Sequence, residues 1–178
     1  TVEAGKDSYC EKPISHNLVE AVSMAAAAKR YNRIVQVGTW QRSTKEFTDA
    51  IDFVRSGGIG KIALTRAWIS DNTQLGKTPR TDPPKGFDYD TWVGPAAFRE
   101  YHANQNHWNW RWIMNYGGGL TTDWGVHMMD IAMLGMSKGT DLVMPTEVTT
   151  EGGLWAFTDD DRDAPDTIES ILKFQNPN

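Results

Sequence analysis

The sequence carries one cysteine, Cys10, among 178 residues. A single thiol can form neither an internal disulfide nor a cysteine zinc site. Positive charge is scarce: 18 Lys and Arg stand against 23 Asp and Glu, a net charge of −5. That balance argues against a surface built for nucleic acid or for an anionic membrane, and neither is expected as a partner. No apolar run approaches the length that crosses a bilayer. There is no Gly-x-Gly-x-x-Gly and no Gly-x-Ser-x-Gly; Gly57-Gly58-Ile59-Gly60 follows a helical pattern rather than a strand, so it is not a phosphate loop. An initiator Met is also lacking. Thr1-Val2-Glu3-Ala4-Gly5 reads as the end of a helix stopped by Gly5, and an N-terminal part is therefore expected to precede it. Any targeting signal would lie there, so the compartment stays unassigned: cytoplasmic by default, with export left open.

What is present is enough to build a core. Hydrophobic residues make up 39% and charged residues 23%, which excludes a disordered chain. Tryptophan is the unusual abundance, with eight residues, a density that suits an aromatic-lined cleft as well as a core.

Local patterns place the elements. Asp7 to Glu11 reads as a strand ended by Pro13. Asn17 with Glu20 forms a capping box, and the helix it starts runs to about Tyr31 with Leu18, Val22, Ala25, Ala26 and Lys29 at helical spacing. Ile34 to Gly38 is a second, β-branched strand. Strand, helix, strand at this length is a βαβ unit with a parallel, right-handed crossover. Ser43 to Glu46 forms another capping box, before a helix in which Phe47, Ala50, Ile51 and Val54 share a face and which Gly57-Gly58 stops. Ile62 to Ser70 alternates as a strand, and Asp71 to Pro95 is mostly loop. Gly117-Gly118-Gly119 precedes a helix over about Thr121 to Leu134. Glu147 to Phe157 and Asp166 to Phe174 are strands flanking the acidic run Asp159-Asp160-Asp161-Arg162-Asp163, and a turn closes the chain at Gln175 to Asn178. The acidic run lacks the glycine and distal glutamate of a calcium loop and is expected to be a solvated hairpin tip.

Three groups of residues could carry chemistry. Glu11-Lys12-Pro13 sits at the carboxyl end of a parallel strand, where open α/β sheets bind ligands. A lysine there can hydrogen-bond a substrate oxygen, although an ordinary surface lysine would look the same. Asp123 and His127 are four apart on a helix, with Asp130 three further on, so a carboxylate can orient an imidazole as a general base. A helix-start Asp beside a packed His gives the same pattern. No second set of ligands at metal spacing accompanies them, and no metal is expected. His107-Trp108-Asn109-Trp110-Arg111-Trp112 alternates aromatic and polar groups, which suits a polyhydroxylated ring and equally suits core tryptophans with a snorkelling arginine.

Taken in order, the pieces resemble the glucose–fructose oxidoreductase, inositol dehydrogenase and MocA family, abbreviated Gfo/Idh/MocA. The matching runs are Ala4-Gly5-Lys6 with Tyr9 to Pro13, Val37 to Arg42, Ser56 to Ile62, Trp92 to Ala96, Trp110-Arg111 with Gly117 to Leu120, and Asp123 to Asp130. The resemblance implies an α/β fold: residues 1–42 as the last βαβ part of a Rossmann doubly wound domain, and residues 43–178 as an α+β substrate domain with a mostly antiparallel sheet. The Gly-rich half of the Rossmann domain is not in this sequence, so the segment alone is expected to bind cofactor poorly. The implied activity is an NAD- or NADP-dependent oxidoreductase acting on a sugar or cyclitol hydroxyl, assembled as a homo-oligomer through the substrate-domain sheet. By the same resemblance Lys12, Asp123 and His127 are catalytic. Glu11, Lys12, Pro13, Gln41 and Arg111 contact the cofactor, and Trp110, Trp112, Asp123 and His127 contact substrate. Two alternatives stand beside it: an NAD-dependent glycoside hydrolase of the same superfold, and a non-catalytic sugar-binding or assembly protein.

Overall fold

The structure is a computed structural model that describes residues 1–70, 72–139 and 142–175. Asp71 of the expected loop, and Asn176 to Asn178 of the expected closing turn, lie outside the described residues. The chain forms two compact units. The first comprises Thr1–Ile69, Trp124–Val148 and the described residues from Leu172 on; the second comprises the described residues of 70–123 and Thr149–Ile171.

In the first unit, β1 (Ser8–Cys10) and β2 (Val35–Val37) pair in parallel with Ser8 opposite Val35 and Cys10 opposite Val37. Helix α1 (Leu18–Arg30) connects them, which makes the βαβ unit. Its start follows the capping logic with one difference. Asn17 Oδ1 accepts from Glu20 N at 3.0 Å, but the Glu20 carboxylate accepts from His16 N, one residue ahead of the cap. No residue of α1 is buried, and Leu18, Val19 and Val22 are well exposed. The helical spacing of its apolar residues thus forms a face that no described residue of this unit buries.

Helix α2 (Lys45–Arg55) buries Ile51 against helix α4 (Val126–Met136). The expected capping box at Ser43 does not form: Ser43 belongs to a 3-10 turn over Trp40–Ser43 and the cap is Thr44. Thr44 Oγ1 donates to Trp40 O, and it accepts no amide hydrogen bond that would cap the helix. At the other end, Gly57 N donates to Val54 O and Gly58 N to Phe53 O. That pair of bonds is a Schellman stop, and it requires the positive φ of 88° at Gly57.

The strand expected over Ile62 to Ser70 is absent. Leu64 and Trp68 are exposed, and no ladder partner lies beside the segment among the described residues. Alternation makes a chain extended, but only a neighbour's hydrogen bonds make it a strand.

The second unit is held by aromatics. Helix α3 (Tyr89–Val93), capped by Asp88 Oδ1 accepting from Thr91 N, interrupts what sequence patterns read as loop. Tyr89, Val93 and Tyr101 form its core, with Phe87 and Trp92 packed on them. The Tyr89 hydroxyl donates to Arg99 O at 2.7 Å. Strands β3 (Glu147–Gly153) and β4 (Thr167–Lys173) pair as a two-stranded antiparallel sheet.

The acidic run is the clearest correction. Asp159 is solvated as expected, but the side chains of Asp160, Asp161 and Arg162 are almost fully buried. Asp160 Oδ2 accepts from Leu75 N and Gly76 N, and Asp161 Oδ2 accepts from Thr78 N, Thr78 Oγ1 and Asn104 Nδ2. Burial would raise the Asp161 carboxyl, but these donors and His102 hold it below its ordinary value. The carboxylates act as acceptors for loop amides that no helix or sheet satisfies.

Candidate active site

The carboxyl ends of β1 and β2 lie side by side. Gly38 N donates to Cys10 O at 2.9 Å, continuing the ladder one residue past β2. Glu11 follows Cys10 and packs directly on Gly38. A Cβ at position 38 would come within 2.5 Å of Glu11 Oε2 and 3.2 Å of Glu11 Cα. Glycine at 38 therefore sets how closely the segment Glu11-Lys12-Pro13 approaches β2. Lys12 and Pro13 are half-buried, and the bond between them is cis.

Beyond Gly38 the chain turns through the 3-10 segment Trp40–Ser43. The Trp40 ring meets the His127 imidazole edge-on, with centroids 6.0 Å apart and planes at 60°. His127 is only 6% exposed, in the first turn of α4. Arg42, from the same turn, grips Asp130 of α4 with two nitrogens. Its Nε donates to Asp130 Oδ2 at 2.7 Å and its Nη2 to Asp130 Oδ1. Hydrogen bonding to Asp130 raises the Arg42 pKa. Gln41, between them, has a buried Oε1 with no hydrogen-bond partner among the described residues. An open cavity of about 280 Å³ lies here, lined by Val35, Gln36, Val37, Thr39, Arg42 and Asp130. Glu11, Lys12, Pro13, Gln41 and His127 thus all belong to the first unit, and the short segment 38–41 carries contacts to both the Glu11 side and His127.

The remaining site residues belong to the second unit. Asp123 is buried and forms an ion pair with Arg111, Nε to Oδ1 at 3.2 Å. It lies in a π-helical stretch, Thr121–Gly125, that runs into α4. The sequence leads one to expect an ordinary α-helix from about Thr121, and the first turn is π-helical instead. Arg111 stacks over two rings, with its guanidinium carbon 3.9 Å from the Trp108 centroid and 4.5 Å from that of Trp110. Trp112 is 4% exposed, a core residue rather than an open platform. Among the described residues no cluster of three or more His, Cys, Asp or Glu could hold a metal ion.

Gly38, Trp40 and Arg42 lie inside the quoted sequence runs without a role that the sequence suggests, and Asp130, read there only as a carboxylate beside His127, is the partner of Arg42. The only local signal was their place, just after a strand and on the face of α4 that carries His127.

The comparisons with known proteins agree with this architecture. Residues 63–154, more than half of the chain, match the family model for the C-terminal alpha/beta domain of the Gfo/Idh/MocA oxidoreductases. The chain belongs to that family. It is 26% identical over 175 residues to dehydrogenase aclE of Aspergillus oryzae, covering 94% of this chain and 40% of that protein. It is also 26% identical over 182 residues to the uncharacterized oxidoreductase YrbE of Bacillus subtilis, covering 91% of this chain and 43% of that protein. The chain therefore spans about two fifths of the curated relatives it matches. Among solved structures it resembles aldose-aldose oxidoreductase from Caulobacter crescentus complexed with glycerol. The TM-score is 0.60 at 21% identity, with 97% of this chain and 41% of that one covered. An inositol dehydrogenase homolog from Azotobacter vinelandii, complexed with NADH and myo-inositol, gives a TM-score of 0.58 at 17% identity over 98% of this chain and 36% of that one. At these identities the structural likeness concerns the fold.

Proposed function

We propose that the protein containing this chain is an NAD- or NADP-dependent oxidoreductase that moves hydride between nicotinamide and a hydroxyl-bearing carbon of a sugar or cyclitol. Its two parts are the end of a Rossmann domain over residues 1–42 and a substrate domain from residue 43. The observation that carries the reading is the segment Gly38 to Gln41. It packs against Glu11, next to Lys12, and its Trp40 touches His127.

The residues present fit the nicotinamide end of the cofactor. Lys12 brings three donors to the strand ends, and Gln41 Oε1 is an acceptor that no described residue uses. The glycine-rich cradle for the pyrophosphate is not in this sequence. In this reading Glu11, Lys12, Pro13 and Gln41 hold the nicotinamide end, largely through backbone at Glu11 and Pro13, and Arg111 reaches cofactor or sugar. When bound, the nicotinamide supplies the hydride acceptor.

Lys12 donates a hydrogen bond to the reacting oxygen and favours its alkoxide character. His127 takes the hydroxyl proton as the C–H bond breaks, because proton and hydride leave adjacent atoms of one alcohol. Asp123 orients substrate or imidazole, and Trp110 offers a ring face to the sugar; Trp112 is buried and does not. Assembly as a homo-oligomer through the β3–β4 sheet completes the proposal, since nearly every residue of both strands is exposed.

The test is NADH formation with myo-inositol and a panel of aldoses. Lys12→Ala and His127→Ala should each lower kcat by roughly 10²- to 10⁴-fold. Turnover near wild type in Lys12→Ala removes Lys12 from the mechanism. Cleavage of an aryl glycoside without NADH accumulation replaces the dehydrogenase with the hydrolase.

A further inference from the structure

Two arginines tie down helix α4. Near its C-terminus, Arg55 of α2 donates from Nε and Nη2 to Leu134 O, at 3.1 and 2.7 Å. These bonds satisfy one of the carbonyls a helix end leaves open. One turn in from its N-terminus the tie is the Arg42–Asp130 pair, formed by residues 88 apart in sequence. The two ties differ in what they hold. Leu134 lies seven residues from His127, two turns along the helix. Asp130 is three residues from His127 and therefore shares its face.

The partner is equally specific. Arg42 lies two residues after Trp40 in one 3-10 turn, and that turn is closed by Arg42 N donating to Thr39 O and Thr44 N to Gln41 O. A two-nitrogen grip fixes distance and orientation together, which a single ammonium contact does not. Asp130 is nearly buried while Arg42 remains about one-third exposed, so the pair is sheltered on the helix side and open on the other.

We infer that Asp130 and Arg42 are positioning residues for His127: their paired contact sets the rotation of α4 against the turn that carries Trp40, and so places the imidazole. Their role is geometric; neither group exchanges a proton with substrate. This inference rests on the assignment of His127 as the base. If the clamp loosens, α4 keeps its Arg55 tie and its packing on α2. It then pivots about its far end, and the imidazole moves most. A displacement of about 1 Å at a reacting group costs on the order of 10²-fold in rate.

The experiment compares Asp130→Asn, Arg42→Lys and Arg55→Gln in the protein that contains this chain, well below each variant's Tm. Three quantities are read: kcat, KM for the polyol, and the NMR resonances of the His127 ring protons, which Trp40 shifts by its ring current. Asp130→Asn and Arg42→Lys should lower kcat by roughly 10- to 100-fold with KM changed less than about 3-fold. Both should move the His127 resonances. Arg55→Gln, which removes the other tie, should lower Tm by a similar amount while leaving kcat and the His127 resonances unchanged. Asp130→Glu, which can rebuild the pair, should recover part of kcat. Unmoved His127 resonances in Asp130→Asn, or an equal movement in Arg55→Gln, overturn the inference. If the wild-type protein oxidises no polyol, the proposed function fails, while the ring resonances still decide whether the clamp positions His127.

Discussion

Asp166 gives the most direct test of how the second unit is held together. Its carboxylate is 7% exposed and accepts from Trp155 N, Ala156 N, Phe157 N and Thr167 Oγ1, at distances from 2.8 to 3.2 Å. Burial by itself would raise the carboxyl pKa, but the donors, led by Phe157 N, outweigh it and bring it down to about 2 from 3.8. A pKa unit is worth about 1.4 kcal/mol. The ionised group thus contributes about 2 kcal/mol at neutral pH, reduced toward about 1 kcal/mol because its donors belong to the exposed residues Trp155 and Ala156 as well as to Phe157. The sign follows from the direction. A depressed folded-state pKa stabilises above the unfolded value of 3.8, and the contribution is lost as pH falls through the folded value of about 2. Asp166→Asn keeps an acceptor oxygen and removes the charge. Urea titrations of both proteins from pH 7 downward should show the wild type more stable by about 1–2 kcal/mol at pH 7, with most of that gap gone near pH 2. A gap that stays constant over the range refutes the account, because it would then come from shape or neutral hydrogen bonding rather than from the charge.

Two further expectations concern the site. Gly38→Ala places a methyl 3.2 Å from the Glu11 backbone. The exposed Glu11 side chain can swing aside, but the backbone must yield by a few tenths of an ångström, so kcat should fall by up to about 10-fold with little change in Tm; full activity would show that the approach of Glu11 to β2 does not position Lys12. Arg111→Lys keeps the charge but loses the planar stack on Trp108 and Trp110, so intrinsic tryptophan fluorescence should change and stability should fall by roughly 1 kcal/mol. An unchanged emission spectrum would contradict the stacked geometry.

How far the molecule could be read in advance depended on the range of the interactions. Helices α1 and α2 and the strands around α1 follow from caps, periodicity and β-branched runs, all of which act within a few residues. The Asn17 cap and the Gly57 stop are such local signals. That Lys12 follows a strand and that His127 lies on a helix are likewise local features. Other features needed the folded chain. The exposed face of α1 has the same spacing a buried face would have, and Ile62 to Ser70 has the alternation of a strand; each lacks only a neighbour among the described residues.

The acidic run shows the same division most sharply. Four aspartates in five residues look solvated from their own composition. Asp160 and Asp161 are structural acceptors here because Leu75 to Thr78 and Asn104 bring unsatisfied donors to them from 57 to 85 residues away. The Arg42–Asp130 grip likewise joins residues that no local pattern relates. By itself the sequence determined the family, the βαβ order and the residue types at the strand ends, since these depend on short-range chemistry. Only tertiary structure decided which carboxylates are buried and which groups hold the His127 helix, because burial and pairing belong to distant segments that meet only on folding.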